Sequence, residues 1–349
     1  MKTARAAIGR RLETPGRPAL AARLLSTAWN AAAARGIARP LALPRAAHVI
    51  GVGGVTLGGS YKTPFAIALA GALASRGRAV ALVGHAYGAR PRQARVVTPG
   101  DRVAEVGDDA LFAAQKLSGT RATVVVGPSR QAAVDFAART AAILVVDGLL
   151  QTRPARLARS ILLLDREQGW GNGHCPPGGD LRASPEALLA STDAVGVVVD
   201  DVAPASEQGS PLARQIALGP QFDVFSGLER AIYPGGTRIS LAELRGAAVG
   251  LVLAVAHPER VIVGLARRGL RIAATALFAD HDCPTPEAVK RVVPTTQRID
   301  VWLTTGKCAT KLPAFIGRSP VLALDHAVRI PESLLAWADA LFPSAGAVG

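Results

Sequence analysis

With 349 residues, a net charge of +14, 49% hydrophobic residues and only 4% aromatic ones, the chain is long enough for two ordinary domains. Their cores must be built from Ala, Val and Leu. No apolar run approaches the roughly 20 residues of a membrane span, and no uninterrupted apolar stretch near the N-terminus reads as a signal peptide. Cys175, Cys283 and Cys308 are too scattered for a metal or disulfide framework, which fits a reducing cytoplasm.

Residues 1–48 hold nine basic side chains (Lys2, Arg5, Arg10, Arg11, Arg17, Arg23, Arg35, Arg39 and Arg45) against the single acid Glu13, a local net charge of +8. Such a leader suits an anionic membrane surface or a polyanion; a high-GC genome that favours Arg and Ala is the bland explanation. Aromatic stacking residues are scarce, so no nucleic-acid partner is expected. Pro18 suits the first turn of a helix running to about Arg35, with Gly36 as its stop. Leu20, Leu24, Leu25, Ala28 and Trp29 fall on one side of it, with Arg17, Arg23, Asn30 and Arg35 at the polar edges. That pattern fits an interfacial amphipathic helix or a helix packed on the body of the protein. Residues 1–46 form a basic amphipathic N-terminal segment, for which membrane association and packing on the body both stay open at this point.

From His48 the chain alternates strands and helices. Strands are expected at His48–Gly53, Ala79–Val83, Thr123–Gly127, Ile143–Asp147, Ser160–Asp165 and Ala194–Asp200, with helices such as Pro64–Arg76 and Arg130–Arg139 between them. Continuous apolar strands separated by helices predict a parallel, doubly wound sheet. Residues 201–240 break the rhythm with Pro, Gly and Ser and read as a linker with short strands. A second α/β region follows, with strands at Ala247–Val255, Ile272–Phe278, Val301–Thr305 and Val321–Asp325.

The first strand leads into Gly58-Gly59-Ser60-Tyr61-Lys62-Thr63-Pro64 and then a helix, the context of a phosphate-binding P-loop. Turn amides and a helix N-terminus make an anion site. Lys62 then reaches the outer phosphates of a nucleoside triphosphate and the Thr63 hydroxyl ligates Mg²⁺, while Tyr61 stands where the motif has Gly. The expected architecture is α/β, a P-loop NTPase-like doubly wound parallel sheet with a second, smaller α/β domain. Its divisions are a P-loop nucleotide-binding domain at 47–205, a linker at 206–245 and the smaller domain at 246–349.

A P-loop enzyme needs an acid at the end of a neighbouring strand for Mg²⁺, and Asp147, followed by Gly148, fits. Asp108 and Asp109 precede an apolar helix; one suits a helix cap and the other a proton acceptor. His281, between Asp280 and Asp282, is placed to be oriented and kept basic. Thr304-Thr305-Gly306-Lys307 offers hydroxyls and a cation at a strand end. The long Gly-rich loop from Gly169 to Arg182 suggests a tight shape near a ligand, with Arg182 a phosphate binder.

Taken in order, these segments resemble the tetraacyldisaccharide 4′-kinases (lipid A 4′-kinases) over roughly residues 47–310. The family's VGNLTVGGTGKTP is similar to Val52–Pro64, its RGYG to His85–Gly88, its EVGDEP to Glu105–Ala110 and its VVVGPDR to Val124–Arg130. Its DDGLQH resembles the segment Val146–Gln151, its GFGNG and LPAGPLRE the Gly169–Ser184 loop, its NPxRF His257–Val261, its PDHH Ala279–Asp282 and its TTEKD Thr304–Cys308. The resemblance implies transfer of the ATP γ-phosphate to the 4′-hydroxyl of an acylated glucosamine disaccharide 1-phosphate, a glycolipid. It also implies two α/β domains with the site in the cleft between them, and peripheral attachment to the anionic cytoplasmic face of the inner membrane. Asp108 with His281 is then the base, Lys62 is catalytic, and Gly58, Gly59, Ser60, Tyr61, Lys62 and Thr63 hold the nucleotide. Thr63 and Asp147 hold Mg²⁺.

The chain departs from the family pattern at Tyr61, at Val146 (the first acid of DDG), at His85 (the Arg of RGYG) and at Gly306 and Cys308 (the acids of TTEKD). Gln151 or Thr152 stands near the family's His. These changes leave a second reading open, a homologue that binds glycolipid or a membrane partner without ATP turnover.

Overall fold

The computed structural model describes residues 20–37, 40–149, 153–154, 159–200, 219–293 and 297–340. The basic residues Lys2 to Arg17, the family-like positions 151 and 152 and residues 201–218, which include the start of the expected linker, lie outside them. The chain divides into two compact units, each described in turn.

The larger unit contains helix α1 (Leu20–Ile37), strand β1 (His48–Gly54), helix α2 (Lys62–Ser75) and strands β2 (Val80–Val83) and β3 (Arg95–Val97). Helix α3 (Asp108–Lys116), strand β4 (Thr123–Val126), helix α4 (Arg130–Ala137), and strands β5 (Ile143–Asp147), β6 (Arg159–Asp165) and β7 (Ala194–Asp200) complete the run. Strand order is β7-β6-β1-β5-β2-β4-β3. All pairs are parallel except β3 with β4. The expected doubly wound sheet is present, and β3 is a short edge strand that the sequence reading did not anticipate.

Strand alternation builds a core on each face of this sheet. Ile143 and Val145 of β5 point to the α2 side, packing with Phe65, Leu69 and Leu73. Leu144 and Val146 point to the other side, packing with Ala133, Val134 and Ala137 of α4. Val146 is therefore a core residue on the face opposite its neighbour Asp147's partner Thr63. Helix α2 has Phe65, Leu69 and Leu73 completely buried, and each such side chain contributes about 1.5–3 kcal/mol of transfer free energy.

Helix α1 runs through Gly36 to Ile37 rather than stopping at Gly36. Among its described side chains only Ser26 is buried, while Leu24 and Leu25 are 65% and 59% exposed and Trp29 is also exposed. The helix thus docks by its polar side. No helix among the described residues is long and apolar enough to cross a membrane.

The smaller unit carries strands β8 (Gln221–Ile232, from Ser226 onward), β9 (Val249–Leu253), β10 (Ile272–Leu277), β11 (Val301–Thr305) and β12 (Ser319–Arg329, up to Ala327) in the order β10-β9-β11-β12-β8. Pairings β9–β10, β9–β11 and β11–β12 are parallel, and helices α5 (Pro258–Arg267) and α6 (Pro286–Val292) accompany them. Leu251, Leu253, Leu303 and Leu322 form one core and Val252, Trp302 and Val321 another. Strand β8 has 12 residues, where the sequence reading expected only short strands. Its buried positions Phe222, Val224 and Ser226 alternate with exposed ones, a half-buried pattern obscured by Ser226-Gly227.

Helix α7 (Glu332–Asp339) continues the second α/β run in sequence but belongs to the larger unit. Leu334, Leu335 and Ala338 enter the α2-side core. Arg76 pairs with Glu332 and Asp339, and Arg78 with Asp339. The Arg159 guanidinium stacks 4.5 Å from the Trp337 ring centre.

Candidate active site

The parallel register sets the site. Val52 of β1 lies opposite Asp147 of β5, so the loop leaving β1 and the acid ending β5 share the carboxyl edge of the sheet, where α/β proteins bind ligands. The loop turns back onto its own strand so closely that a Cβ on Gly54 would lie 2.3 Å from Ser60 Oγ and 3.0 Å from Lys62 Cγ. Only glycine fits there.

Tyr61 occupies the cap position of α2 at φ 56° and ψ 6°, a left-handed conformation. This is the backbone geometry that favours Gly, and Tyr adopts it at a cost of about 1–2 kcal/mol. The Tyr61 side chain packs, partly buried, against the α2-side core. Preceding it, Gly59 is also left-handed at φ 58°, and Thr56 Oγ1 donates to Gly58 O at 2.6 Å.

Lys62 Nζ donates to the buried Ser60 Oγ at 2.7 Å, which holds the ammonium against the loop. Thr63 Oγ1 donates to Asp147 Oδ2 at 2.6 Å. Asp147 is 8% exposed, and its Oδ1 is buried without a hydrogen-bond partner. An orphaned buried carboxylate oxygen is costly. Together with a neighbouring hydroxyl it forms a hard oxygen donor set that suits Mg²⁺. The residues present therefore fit the metal.

Two half-buried arginines border Asp147. Arg130, the first residue of α4 behind the Ser129 cap, donates to the Asp147 carbonyl. Burial lowers its pKa, and the Asp147 charge partly restores it. Arg182 is pushed down to about 10, chiefly by burial and further by Arg130, against the pull of Asp147. Arg182 donates from Nε to Thr56 O (2.6 Å) and from Nη2 to Leu57 O (2.9 Å). It braces the phosphate-binding loop. The sequence signal for Arg130 was its place behind a Gly-Pro-Ser helix start, and nothing local revealed that it would reach the end of β5.

Asp108 is the first residue of α3 and only 2% exposed. The cap position belongs to Gly107 at φ 87°, with no side-chain cap bond. The capping role expected of one of the two aspartates is thus not realised. Both lie in the first turn, where the helix dipole favours negative charge, and Asp108 Oδ1 accepts from Asp109 N–H at 2.9 Å. A Cβ on Gly107 would meet the Ala86–Tyr87 backbone at 3.1 Å, so α3 begins hard against the loop that follows β2.

In the smaller unit His281 sits at φ 62°, past the end of β10. Its Nε2 lies 3.6 Å from Asp280 Oδ2, and Asp280 Oδ1 takes Lys307 Nζ at 3.1 Å. The hydroxyls of the neighbouring pair have structural duties. Thr304 Oγ1 donates to Val252 O at 2.6 Å, and Thr305 caps the short helix Gly306–Ala309. In the larger unit the structure brings together Ser60, Lys62, Thr63 and Asp147; Asp108 joins the same strand edge, and His281 belongs to the smaller unit.

A family model described as tetraacyldisaccharide-1-P 4′-kinase matches residues 19–342. A tetraacyldisaccharide 4′-kinase from Geobacter metallireducens is 33% identical over 328 residues, 91% of each chain. Another from Methylobacterium sp. (strain 4-46) is 34% identical over 303 residues, 85% of this chain and 86% of the relative. The crystal structure of LpxK from Aquifex aeolicus in complex with ATP superposes with a TM-score of 0.64 at 19% identity, covering 92% of this chain and 96% of that one, and so shares the fold. Matched by the family model over residues 19–342 and by relatives 33–34% identical over 85–91% of its length, this chain belongs to the tetraacyldisaccharide-1-P 4′-kinase family.

Proposed function

We propose that the protein transfers the γ-phosphoryl group of ATP to the 4′-hydroxyl of a tetraacyldisaccharide 1-phosphate. The observation that carries this reading is the Thr63–Asp147 pair beside Lys62, with Asp147 Oδ1 buried and without a hydrogen-bond partner. The 4′-oxygen attacks Pγ, the Pγ–O bond to ADP breaks, and the hydroxyl proton passes to a base. Asp108, assisted by His281, is that base. Lys62 and the amides of Gly58 to Tyr61 hold the phosphates. Mg²⁺, held by Thr63 and Asp147, neutralises charge on the phosphate oxygens when bound.

Retained Lys62, Thr63 and Asp147 geometry supports turnover over the impaired alternative. The Tyr61 ring is accommodated in the core, and Val146 faces away from Thr63.

The acceptor is a lipid, and α1 presents Leu24, Leu25 and Trp29 outward in a leader of net charge +8. This is the composition of an interfacial element on an anionic surface. The protein therefore works peripherally, at the cytoplasmic face of the inner membrane, with no nucleic-acid partner.

The test is phosphate transfer from labelled ATP to the disaccharide 1-phosphate lipid in detergent with Mg²⁺. Lys62→Ala and Asp108→Ala run beside the wild type. Transfer by the wild type that disappears in both variants supports the assignment. Folded wild-type protein that neither transfers phosphate nor binds ATP overturns it.

A further inference from the structure

Helix α1 is fastened to the rest of the larger unit in an unusual way. Among its described side chains, Ser26 and Asn30 face inward, while Leu24, Leu25 and Trp29 are exposed. Ser26, 5% exposed, donates through Oγ to Cys175 O at 2.6 Å and accepts from Gly178 N–H at 3.1 Å. One turn on, Asn30 Oδ1 accepts from Ser184 N–H at 2.9 Å. All three partners are backbone groups of the Gly169–Ser184 loop.

That loop is itself tightly built. Asn172 Nδ2 donates to Gly178 O at 2.6 Å, and Asn172 Oδ1 accepts from His174 N–H at 3.1 Å. A Cβ on Gly179 would overlap Asn172 Oδ1 at 2.0 Å. Cys175, Leu181 and Ala183 pack with Val55, Leu162 and Leu164. The loop then joins the phosphate-binding loop. Leu57 N–H donates to Asp180 O and Arg182 N–H to Val55 O, each at 2.9 Å, and the Arg182 side chain holds the Thr56 and Leu57 carbonyls. An unbroken chain of bonds therefore runs from the α1 side chains to the loop that precedes Lys62.

We propose that Ser26 and Asn30 are positioning residues through which lipid contact by α1 pre-organises the phosphate-binding loop. The proposal rests on the membrane reading of α1 given above. A helix with Leu24, Leu25 and Trp29 in water is held by few buried contacts and is marginal by itself. A lipid surface that covers those side chains pays the cost of ordering the helix. The Cys175–Gly178 turn and, behind it, Arg182 and the Thr56–Leu57 carbonyls are then already fixed when nucleotide arrives. Two ligands that share one ordering cost bind cooperatively, and the coupling is reciprocal. ATP turnover is thereby favoured where the lipid acceptor resides.

The experiment measures the affinity of the full-length protein for a non-hydrolysable ATP analogue with Mg²⁺, with and without vesicles of phosphatidylethanolamine and phosphatidylglycerol lacking the acceptor. Vesicle sedimentation and hydrogen exchange of residues 169–184 accompany it. Vesicles are expected to tighten nucleotide binding by about 5- to 10-fold, the lower part of the usual coupling range. The analogue should raise vesicle binding by the same factor, and exchange in the loop should slow. Ser26→Ala/Asn30→Ala should bind vesicles within about twofold of wild type yet lose the tightening, and Ser26→Thr, which keeps the hydroxyl, should retain it. Vesicle binding with unchanged nucleotide affinity in the wild type overturns this proposal and leaves the membrane reading intact. Tightening that survives in a folded double variant also overturns it. Absence of vesicle binding overturns both. If the double variant does not fold, the wild-type affinity shift and its reciprocal decide.

Discussion

Helices α1 and α2 are built from similar residues, Ala and Leu above all, and meet opposite fates. In α2 the apolar side chains are inside, with Phe65, Leu69 and Leu73 completely buried between the sheet and its neighbours. In α1 they are outside, and Ser26 and Asn30 make the attachments. Composition alone does not distinguish the two. What differs is the surface each meets. Helix α2 lies against a continuous apolar sheet face, where burial of hydrocarbon is favourable. Helix α1 lies against a loop whose exposed groups are backbone N–H and C=O, and such groups must be satisfied by polar side chains.

Breaking the functional end of α2 should have the largest effect. Lys62→Ala should lower phosphate transfer by about a thousandfold, with the thermal unfolding midpoint little changed, as read by initial rates and calorimetry on the same preparation. Phe65→Ala, three residues further on, tests the buried face instead and should cost about 3–5 kcal/mol of stability, measured by denaturant unfolding. The contrast with α1 then becomes direct. Leu24→Glu/Trp29→Glu should leave unfolding within about 0.5 kcal/mol of wild type, because both side chains are exposed, but should weaken sedimentation with anionic vesicles by about tenfold or more. An equal loss of stability in this variant would show that the two helices are not so different. The smallest effect is expected at the junction before α2. Tyr61→Gly relieves left-handed strain of about 1–2 kcal/mol and gives up the packing of a half-buried ring of similar worth, so stability should move by under about 1 kcal/mol and transfer should persist. A large loss of transfer would instead assign the ring a part in the reaction.

Much of the fold was legible because it rests on local pattern. The runs ending at Asp147 and Asp200 gave strands with the expected bounds, since a strand buried on both faces is written as an uninterrupted apolar run. The loop from Gly58 to Thr63 was legible for the same reason, as its glycines and its Lys-Thr pair lie side by side in sequence. Strand β3 was not, because three residues, Arg95–Val97, at a sheet edge carry too little pattern. Nor was the full length of β8, where buried and exposed positions alternate only from Gln221 to Ser226 and Ser226-Gly227 reads as a turn.

The site divides in the same way. Lys62, Thr63 and Asp147 are residues whose type and place in a strand–loop–helix order announce their chemistry, and the sequence by itself determined that family and that constellation. Only the tertiary structure decided that Asp147 keeps an oxygen without a partner, that Arg130 reaches the end of β5, and that Arg182 braces the loop. It likewise decided that the Tyr61 ring turns into the core, that α7 returns to the larger unit, and which side of α1 faces inward. The bonds of Arg130 and Arg182 join residues 17 and 126 positions apart along the chain. Helix and strand preferences are set by neighbours in sequence, whereas the direction a polar side chain takes is set by whichever unsatisfied group the fold brings opposite it.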